Sequence, residues 1–400
     1  MQQKIALEDN KMDNWNEYSL GQLLSYEQPT AYIVESTDYD DKYKAPVLTA
    51  GKTFILGYTN EEHGVYDALP VIIFDDFTTA SQYVNFKFKV KSSAMKILTA
   101  NTSLVLPKFI FYRMQIIKFD ASTHKRYWIQ HYSKIKVKIP SIPEQERIVA
   151  HIEELFSQLD ASVSELKTAK ERLKVYRQAV LKEAFDGTLT DSEKIRTATL
   201  ERYIEKPRYG TSKKCDYSHT EKSKEVYRIP NIDYVSGHIS HSDIKYSEFS
   251  RNELADLKLE CGDILIIRSN GSASLVGRAA IIKETDTEGI FAGYLMRLRI
   301  KDKSSLLPEF LLHFLQSHDA RVYIENKAKS TSGVHNINST EISGLKIPIF
   351  MIDDQQSIVS AIESRLSVCD SIEKTMSTAL QQAEALRQSI LKKTFDRRGV

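Results

Sequence analysis

The stretch "RQAVLKEAFDG", residues 177–187, recurs almost unchanged at residues 387–396 as "RQSILKKTFD". At a constant shift of 210 residues the match extends back to residue 148 without a gap, over about 40 residues, a length that chance does not produce. The identical pairs include Ile148 and Ile358, Val149 and Val359, Ile152 and Ile362, Glu153 and Glu363, Asp160 and Asp370, and Phe185 and Phe395. The chain therefore contains a duplicated segment.

Both copies carry a heptad pattern, in which apolar residues alternate at spacings of four and three along one stripe of a helix. The predicted stripe of the first copy is Ile148, Ile152, Leu155, Leu159, Ser162, Leu166, Ala169, Leu173, Tyr176 and Val180. That of the second copy is Ile358, Ile362, Arg365, Cys369, Ile372, Met376, Ala379, Ala383, Leu386 and Ile390. We expect the two helices to pair within the chain; packing of each on its own globular domain, or pairing between chains, are the alternatives.

A weaker repeat lies between the helices. "LPKFIFYRMQ" (106–115) is similar to "LPEFLLHFLQ" (307–316), and each predicts a helix with proline in its first turn. Extended segments at 129–140 and 337–348 lead into the long helices, which aligns Trp128 with Asn336. The repeating unit is therefore a globular domain followed by a long helix.

Strand patterns fill both globular domains. "CGDILIIRSNGSASLVGRAAII" (261–282) predicts strand, turn and strand, with a buried apolar run and an Asn-Gly turn. In "PVIIFDDFTTASQYVNFKFKV" (70–90) the alternation of the last residues predicts a half-buried strand with lysines on its outer face.

The predicted fold class is α+β, with two strand-rich α/β domains of the same fold and a coiled coil made by the two long helices. The expected segments are a tail at 1–12, a first domain at 13–140, a helix at 141–190, a second domain at 191–348 and a second helix at 349–400.

Composition places the chain among globular proteins, because 42% of its 400 residues are hydrophobic and 27% charged. It shows no apolar run of membrane-helix length and no secretory signal, and its three scattered cysteines are typical of reduced thiols, so we expect a cytoplasmic protein. The net charge of +2 hides an uneven distribution. Residues 1–76 hold 14 acidic and 5 basic side chains, whereas residues 77–143 hold one acid against 12 lysines and arginines. Such a block indicates a polyanion-facing region, or a basic face toward an acidic partner protein.

Catalytic and metal-binding patterns are incomplete. "AGKTF" (50–54) ends like a phosphate-binding loop, but Pro46 stands where the first glycine belongs. His238 and His241 have no further ligand at metal-site spacing, which favours a surface loop. We therefore expect no enzyme activity in this chain.

The duplicated "IP…Q…IV…IE" helix entries and "FD" exits, together with "GDILIIRSNGS", "YGTSKK" (209–214) and "NWNEYSLGQLL" (14–24), resemble the specificity subunits of type I restriction-modification systems. The resemblance covers essentially the whole chain; Arg397 departs from it where the first copy has Gly187. It implies two target recognition domains, each reading one half of a split, asymmetric site in double-stranded DNA. It also implies that the two long helices run antiparallel, as an antiparallel coiled coil that separates the domains.

The same resemblance implies partners for the chain. Two modification subunits would dock on the helices, carry S-adenosylmethionine and methylate adenine, and restriction subunits would use ATP to translocate and cleave DNA. It implies no cofactor and no catalytic residue on this chain, and no membrane.

Basic and hydrogen-bonding side chains on predicted loops and strand ends are the DNA-contact candidates, since phosphate contacts supply affinity and base-edge contacts supply selectivity. In the first domain they are Lys87, Lys89, Lys91, Lys125, Arg126 and Tyr127. In the second domain they are Arg208, Tyr209, Lys213 and Lys214 of a flexible basic loop, and Arg268, Ser269 and Asn270 after a buried strand. Trp128 is a candidate for the core instead.

Two other functions compete with DNA recognition. A coiled-coil scaffold that binds only proteins accounts for the heptads but not for the lysine-rich block or the two diverged domains. A nuclease with scattered carboxylates lacks any ordered set of acidic residues.

Overall fold

The computed structural model describes residues 15–51, 53–120, 126–328 and 333–396. The chain divides into two compact units, the first formed by Met1–Lys167 with Ser377–Val400 and the second by Thr168–Met376. Each unit contains one globular domain and part of both long helices. The boundaries expected from sequence give each helix a segment of its own, whereas the compact units divide both helices between them.

The first domain and the first long helix contain these elements in chain order. The strands are β1 Asn16–Ser19, β2 Leu24–Glu27, β3 Ala45–Leu48, β4 Ile55–Thr59, β5 Val71–Asp75, β6 Ser81–Val84, β7 Lys89–Val90, β8 Met95–Ala100 and β9 Lys136–Ile139. The helices are α1 Leu20–Leu23, α2 Pro107–Met114 and α3 Ile142–Asp186, with 3-10 turns at Pro29–Tyr32 and Tyr132–Lys134.

The second domain and the second long helix follow. The strands are β10 Arg196–Thr199, β11 Arg208–Tyr209, β12 Ser223–Tyr227, β13 Ile232–Asp233, β14 His238–Ile239, β15 Lys245–Glu248, β16 Ile264–Ile267, β17 Ser269–Asn270, β18 Ala279–Ile281, β19 Ile290–Phe291, β20 Leu295–Leu298, β21 His335–Asn336 and β22 Lys346–Ile349. The helices are α4 Arg251–Asp256, α5 Pro308–Gln316, α6 His318–Lys327, α7 Ser339–Ser343 and α8 Ile352–Asp396.

The two domains share one topology, which confirms the predicted duplication of the fold. The main sheet runs β2-β8-β5-β6 in the first domain and β11-β20-β16-β18-β14-β13 in the second. A three-stranded sheet, β4-β3-β7 or β15-β12-β19, has a central strand that is parallel to one neighbour and antiparallel to the other. Each domain closes with a two-stranded pair, β1 with β9 and β10 with β22, just before its long helix.

Apolar strands and one amphipathic helix form the core of each domain. All four residues of β16 are 0% exposed, as the continuous apolar run predicts. In both domains a helix that begins with proline, α2 or α5, packs beside the sheet. Its aromatic side chains reach the long helices: the Phe109 ring lies 5.5 Å from that of Phe395, and Phe310 lies 5.2 Å from Phe185.

The long helices pair antiparallel within the chain. In the first unit, Leu391 and Phe395 near the end of α8 pack in one core with Ile148 and Ile152 near the start of α3. In the second unit, the end of α3 meets the start of α8, because Glu183 Oε2 lies 3.8 Å from Arg365 Nη1. The predicted intramolecular, antiparallel pairing is confirmed.

The seam between the helices differs from the predicted one at alternate positions. Ser162, Ala169 and Tyr176 are exposed, as are Arg365, Ile372 and Leu386. The neighbours that take their places are Val163, Lys170 and Arg177 on α3, and Leu366, Glu373 and Arg387 on α8. The prediction was wrong there because four of these seam positions hold long charged side chains whose ends pair across the seam.

Repeat-related ion pairs cross the seam. Arg177 Nη2 lies 2.6 Å from Asp370 Oδ1 and 3.3 Å from Glu373 Oε2 in the second unit. In the first unit Arg387 forms the corresponding pair with Asp160, and its guanidinium lies 4.3 Å from the centre of the Phe156 ring. Since Arg177 and Arg387 are related by the shift of 210, the duplication preserves this ion pair between the helices.

A buried glutamine joins each long helix to its domain. Gln145 is 0% exposed; its Oε1 accepts from Leu106 N at 2.8 Å, and its Nε2 donates to Leu104 O at 3.0 Å and Pro140 O at 2.9 Å. Gln355, at the same shift of 210, is also 0% exposed and makes the equivalent three bonds. These glutamines are the "Q" of the duplicated helix entry.

The same shift continues into the strands before the helices. β9 and β22 begin at Lys136 and Lys346, so their residues correspond at 210 and not at the 208 implied by the two "IP" dipeptides. The alignment of Trp128 with Asn336 was therefore wrong, and Trp128 corresponds to Asn338.

Candidate nucleic-acid interface

In the second domain a strand end and two short strands bring the polar candidates together. Strand β16 is followed directly by Arg268 and then by β17, which pairs antiparallel with β21: Ser269 opposes Asn336 and Asn270 opposes His335. Tyr209 reaches the same place from the edge strand β11. The structure thus brings together residues that are far apart in the sequence. Tyr209 and Ser339, which form a hydrogen bond, are separated by 130 positions.

Arg268 is held in place by its neighbours. Its guanidinium carbon lies 4.6 Å from the centre of the Tyr209 ring, and Nη1 donates to Gly293 O at 3.0 Å. The Tyr209 hydroxyl accepts from Ser339 N at 2.9 Å. Arg268 Nε is buried and has no hydrogen-bond partner within the described residues. A guanidinium fixed by stacking and one hydrogen bond retains further donors for a planar acceptor such as a guanine edge.

Two tyrosines next to this arginine are exposed. Tyr209 is 39% exposed and Tyr294 is 61% exposed. The backbone N–H of Arg268 donates to Tyr294 O at 2.9 Å, so Tyr294 belongs to the same site. Sequence reasoning missed Tyr294; the only signal was an aromatic residue directly after Gly293 at the start of a strand. We name Tyr209, Arg268, Asn270 and Tyr294 the arginine cluster.

Two neighbours of Arg268 contribute less than the sequence predicts. Ser269 is only 7% exposed, so its side chain is not available to a base edge, and that prediction was wrong. The side-chain oxygen of Asn270 accepts from Ser272 N at 2.8 Å and fixes the turn, which leaves its amide NH₂ as the group that faces a ligand.

The basic loop at 206–214 is more constrained than predicted. A Cβ on Gly210 would lie 2.3 Å from the carbonyl oxygens of Phe291 and Ala292, so the backbone packs closely there and the loop is not freely flexible. Arg208 Nη2 pairs with Asp256 Oδ2 at 2.8 Å, and Lys213 Nζ lies 3.2 Å from Glu253 Oε2. Exposed pairs of this kind contribute at most about 1 kcal/mol, so a phosphate can displace the carboxylates. Among the predicted cations of the loop, Lys214 is exposed without such a pair in the described part of the chain.

The predicted lysine face of the first domain is broken. Strand β6 ends at Val84, and only Lys89 and Val90 continue as β7. Lys89 is 3% exposed, its Nζ lies 2.6 Å from Glu61 Oε2 and it donates to His63 O at 2.7 Å. The prediction that Lys89 faces DNA was therefore wrong, because a buried and fully paired ammonium cannot reach a phosphate. Its neighbours Lys87 and Lys91 are exposed.

The Lys89 ion pair perturbs its carboxylate partner. Burial by itself raises the pKa of Glu61, but hydrogen bonds from Lys89 and from the backbone of Ser36 and Glu35 outweigh it and hold the pKa below its ordinary value.

The loop "STHKRYW" gives a mixed outcome. Lys125 lies outside the described residues, and Arg126 is exposed. Tyr127 is 3% exposed and packs edge-on against Phe119, so it belongs to the core and its predicted role at the DNA was wrong. Trp128, 1% exposed, is a core residue as expected.

Asp76 fixes the end of that loop through hydrogen bonds with its backbone. Its carbonyl accepts from Tyr127 N at 2.9 Å and its Oδ1 accepts from Trp128 N at 2.8 Å. Asp76 Oδ2 lies 3.3 Å from Lys96 Nζ, and both side chains are almost fully buried. In the second domain the carbonyl of Arg268 accepts from Ile337 N at 2.9 Å. Since residues 127 and 337 correspond, Asp76 and Arg268 occupy the same position of the fold with opposite charge.

Metal binding and membrane insertion find no support in the described ranges. No group of three or more His, Cys, Asp or Glu side chains there could hold a metal ion. His241 lies 3.0 Å from Asp286 Oδ1 and 3.3 Å from Glu225 Oε2, which are side-chain hydrogen bonds and not a ligand set. No helix in the part of the chain that the structure describes is long and apolar enough to cross a membrane.

The equivalent strand ends of the two domains, at Asp76 and Arg268, are chemically different. Residues 12–172 and 210–382 match the family described as the type I restriction modification DNA specificity domain. The chain belongs to this family. The resemblance inferred from the duplicated helix entries is thereby confirmed, and the scaffold alternative is not favoured.

Curated relatives agree over most of the chain. The type I restriction enzyme EcoR124I/EcoR124II specificity subunit of Escherichia coli is 32% identical over 388 residues, covering 92% of this chain and 90% of the relative. The EcoKI specificity subunit of Escherichia coli strain K12 is 30% identical over 273 residues, covering 66% of this chain and 58% of the relative.

Solved structures share the fold. A chain from a structural study of the assembly and conformational transition of a type I R-M system superposes with a TM-score of 0.69 at 16% identity, covering 96% of this chain and 98% of that one. The HsdS subunit from Thermoanaerobacter tengcongensis gives a TM-score of 0.51 at 17% identity, covering 97% of both chains.

Proposed function

We propose that this specificity subunit reads a split, asymmetric DNA sequence, with one half-site contacted by each domain. The observation that supports this most directly is the pair Asp76 and Arg268, which stand at one position of a duplicated fold and carry opposite charges. Two domains with identical residues at this position would favour two identical half-sites. Divergence at the strand end favours two unlike half-sites, because Arg268 offers donors to a base edge whereas Asp76 is buried against Lys96 and offers none.

In the second domain the arginine cluster would read the bases. Arg268 would donate to a guanine edge, the amide of Asn270 would contact an adjacent base, and Lys214 would contact the backbone. The surface pairs of Arg208 and Lys213 would exchange carboxylates for phosphates on binding.

We further propose that the chain itself is not catalytic and binds no cofactor. Two modification subunits would carry S-adenosylmethionine and methylate adenine, and restriction subunits would use ATP. Exposed apolar side chains on the long helices support docking: Tyr176 on α3 and Leu386 on α8 are 44% and 49% exposed and are related by the shift of 210. Two equivalent docking points would suit two modification subunits.

The test maps methylated adenines genome-wide in cells that express this chain with its modification subunit. A split motif with one methylated adenine in each strand is expected. Methylation without any such motif, or none that depends on this chain, would contradict the proposal.

Replacing Arg268 by Ala should relax one half-site only, at a cost of about 1–3 kcal/mol for its preferred base. Arg251→Ala, which removes an exposed arginine from the start of α4, serves as the matched control and should leave the motif unchanged. An equal loss of affinity on all sequences would make Arg268 a phosphate contact instead of a base reader.

A further inference from the structure

The first domain contains a cavity whose lining, apart from Lys87, lies outside the predicted site residues. Its volume is about 540 Å³. It lies where the start of β3, the end of β4 and the segment before β7 meet, and its lining includes Lys42, Lys44, Asn60 and Lys87. We name it the lysine cavity.

Lysines dominate the open side of this cavity. Lys42, Lys44 and Lys87 are all exposed, and within the described residues neither Lys42 nor Lys44 forms an ion pair. Lys87 Nζ lies 3.6 Å from Asp67 Oδ2, but both side chains are about two-thirds exposed, so water screens that contact.

Two acidic residues also line the lysine cavity. Glu61 is committed to the buried Lys89 and to the backbone N–H groups of Glu35 and Ser36, so its charge is already satisfied. Glu62 is exposed and is the remaining acidic competitor. Counting Asp67 beside Lys87, three exposed ammonium groups meet two exposed carboxylates, which leaves one positive charge in excess.

The second domain has a cavity in the equivalent place, of about 280 Å³. The parallel strand pairs give the correspondence, since Val47 opposite Lys89 matches Val226 opposite Ile290. By that register Ala45 corresponds to Lys224 and Lys87 to Glu288, and all four residues line the two cavities.

Charged residues at the second cavity pair with one another. Lys224 Nζ lies 2.6 Å from Glu288 Oε2, and His241 lies between Glu225 and Asp286. Glu288 is 86% exposed, and its hydrogen bond with Lys224 lowers its pKa, so it is ionised at neutral pH. One fold position therefore carries an open cationic cavity in the first domain and an internally paired one in the second.

We propose that the lysine cavity binds the DNA backbone, with Lys42 and Lys44 contacting phosphates beside the half-site of the first domain. This rests on the proposed function as a DNA reader. Lysine provides a compact charge without a fixed hydrogen-bond geometry, which suits a phosphate and not a particular base. The cavity therefore supplies affinity in the first domain and leaves selectivity to other residues.

The experiment uses the complete complex with its modification subunits and a duplex that contains the mapped site. Binding of the wild type and of the Lys42→Gln/Lys44→Gln variant is measured over a series of salt concentrations. Each lost phosphate contact lowers the slope of log K against log salt by about 0.9, so the double variant should lose a little under two units of slope. The ratio of affinities for cognate and random duplexes, and the methylated motif, should not change.

Two further variants make the result specific. Lys224→Gln/Glu288→Gln removes the paired charges of the equivalent cavity and should leave the salt slope unchanged. Lys42→Arg/Lys44→Arg keeps the charges and should retain the wild-type slope, which excludes a loss caused by altered folding.

The outcomes separate this inference from the function on which it rests. An unchanged slope in Lys42→Gln/Lys44→Gln, while the wild-type complex binds in a salt-dependent manner, would overturn the lysine cavity alone. A changed methylation motif would make these lysines base readers and would equally overturn it. A wild-type complex with no salt-sensitive DNA binding would overturn the proposed function itself.

Discussion

The buried glutamine at the start of each long helix offers the sharpest test of how the domains are attached. Gln145→Ala removes three hydrogen bonds to backbone groups, one to an N–H and two to carbonyl oxygens. The glutamine itself is 0% exposed, and its bond to Pro140 O is fully buried.

The expected magnitude follows from the groups left without partners. A buried donor or acceptor that loses its partner costs about 1–3 kcal/mol. Relaxation and water entry recover part of the sum, so we expect Gln145→Ala to lower the free energy of unfolding of the first unit by about 3–5 kcal/mol. Gln158→Ala is the matched control: it is an exposed glutamine of the same helix and should change stability by less than about 0.5 kcal/mol.

The chain provides its own reporter for this measurement. It has two tryptophans, Trp15 and Trp128, and both lie in the first unit. Trp128 is buried, and its ring lies 5.2 Å from that of Phe74. Denaturant unfolding followed by tryptophan fluorescence therefore reports on the first unit, whereas far-ultraviolet circular dichroism reports on both.

The repeat-related variant Gln355→Ala completes the test. It should shift the transition seen by circular dichroism and leave the fluorescence midpoint nearly unchanged. Equal midpoints for Gln145→Ala and Gln158→Ala would refute the role of the buried hydrogen bonds. A fluorescence shift in Gln355→Ala as large as that in Gln145→Ala would refute the assignment of each glutamine to its own unit.

Two other predictions concern pH and docking. Burial, aided by the charge of His238, lowers the pKa of His313 to about 4, and its Nδ1 has no hydrogen-bond partner within the described residues. The unfolded chain, with a pKa near the ordinary 6.5, binds more protons in that window, so stability should fall as pH drops from about 6.5 to 4. His313→Leu should flatten this dependence in circular-dichroism melts; an unchanged slope would contradict the prediction. Tyr176→Asp and Leu386→Asp should each weaken co-purification of the modification subunit. Gln381→Asp, which changes a residue exposed elsewhere on α8, should not weaken it. Normal co-purification with the Tyr176→Asp/Leu386→Asp double variant would exclude this docking face.

Sequence reasoning recovered the repeat and the two long helices because these depend on patterns along the chain. A heptad, a proline at a helix start and an apolar run of strand length each involve residues that are close in the chain. The seam shows where that information stops. Hydrophobicity favoured Tyr176, Ile372 and Leu386, whereas the helices bury the stems of Arg177 and Arg387 and pair their charges across the seam.

The candidate site was predicted in part for the same reason. Arg268 was predicted as a contact because it follows a buried strand, and the structure places it against Tyr209. Lys89 was assigned to the surface from strand alternation, Tyr127 from its basic loop and Ser269 from its place after a buried strand. All three are buried in the structure. Tyr294 was missed since nothing near it marks an exposed ring.

The sequence by itself determined that this protein has two copies of one domain, each attached to a long helix, because duplication leaves identities at a fixed shift. Only the tertiary structure determined which charged side chains are exposed to a ligand and which are buried in ion pairs. It buried Lys89 against Glu61, and it brought Lys42 and Lys44, from the acidic beginning of the chain, beside Lys87 of the basic block. The electrostatic potential of a surface depends on distances in space, and strand pairing sets those distances between residues that the sequence keeps apart.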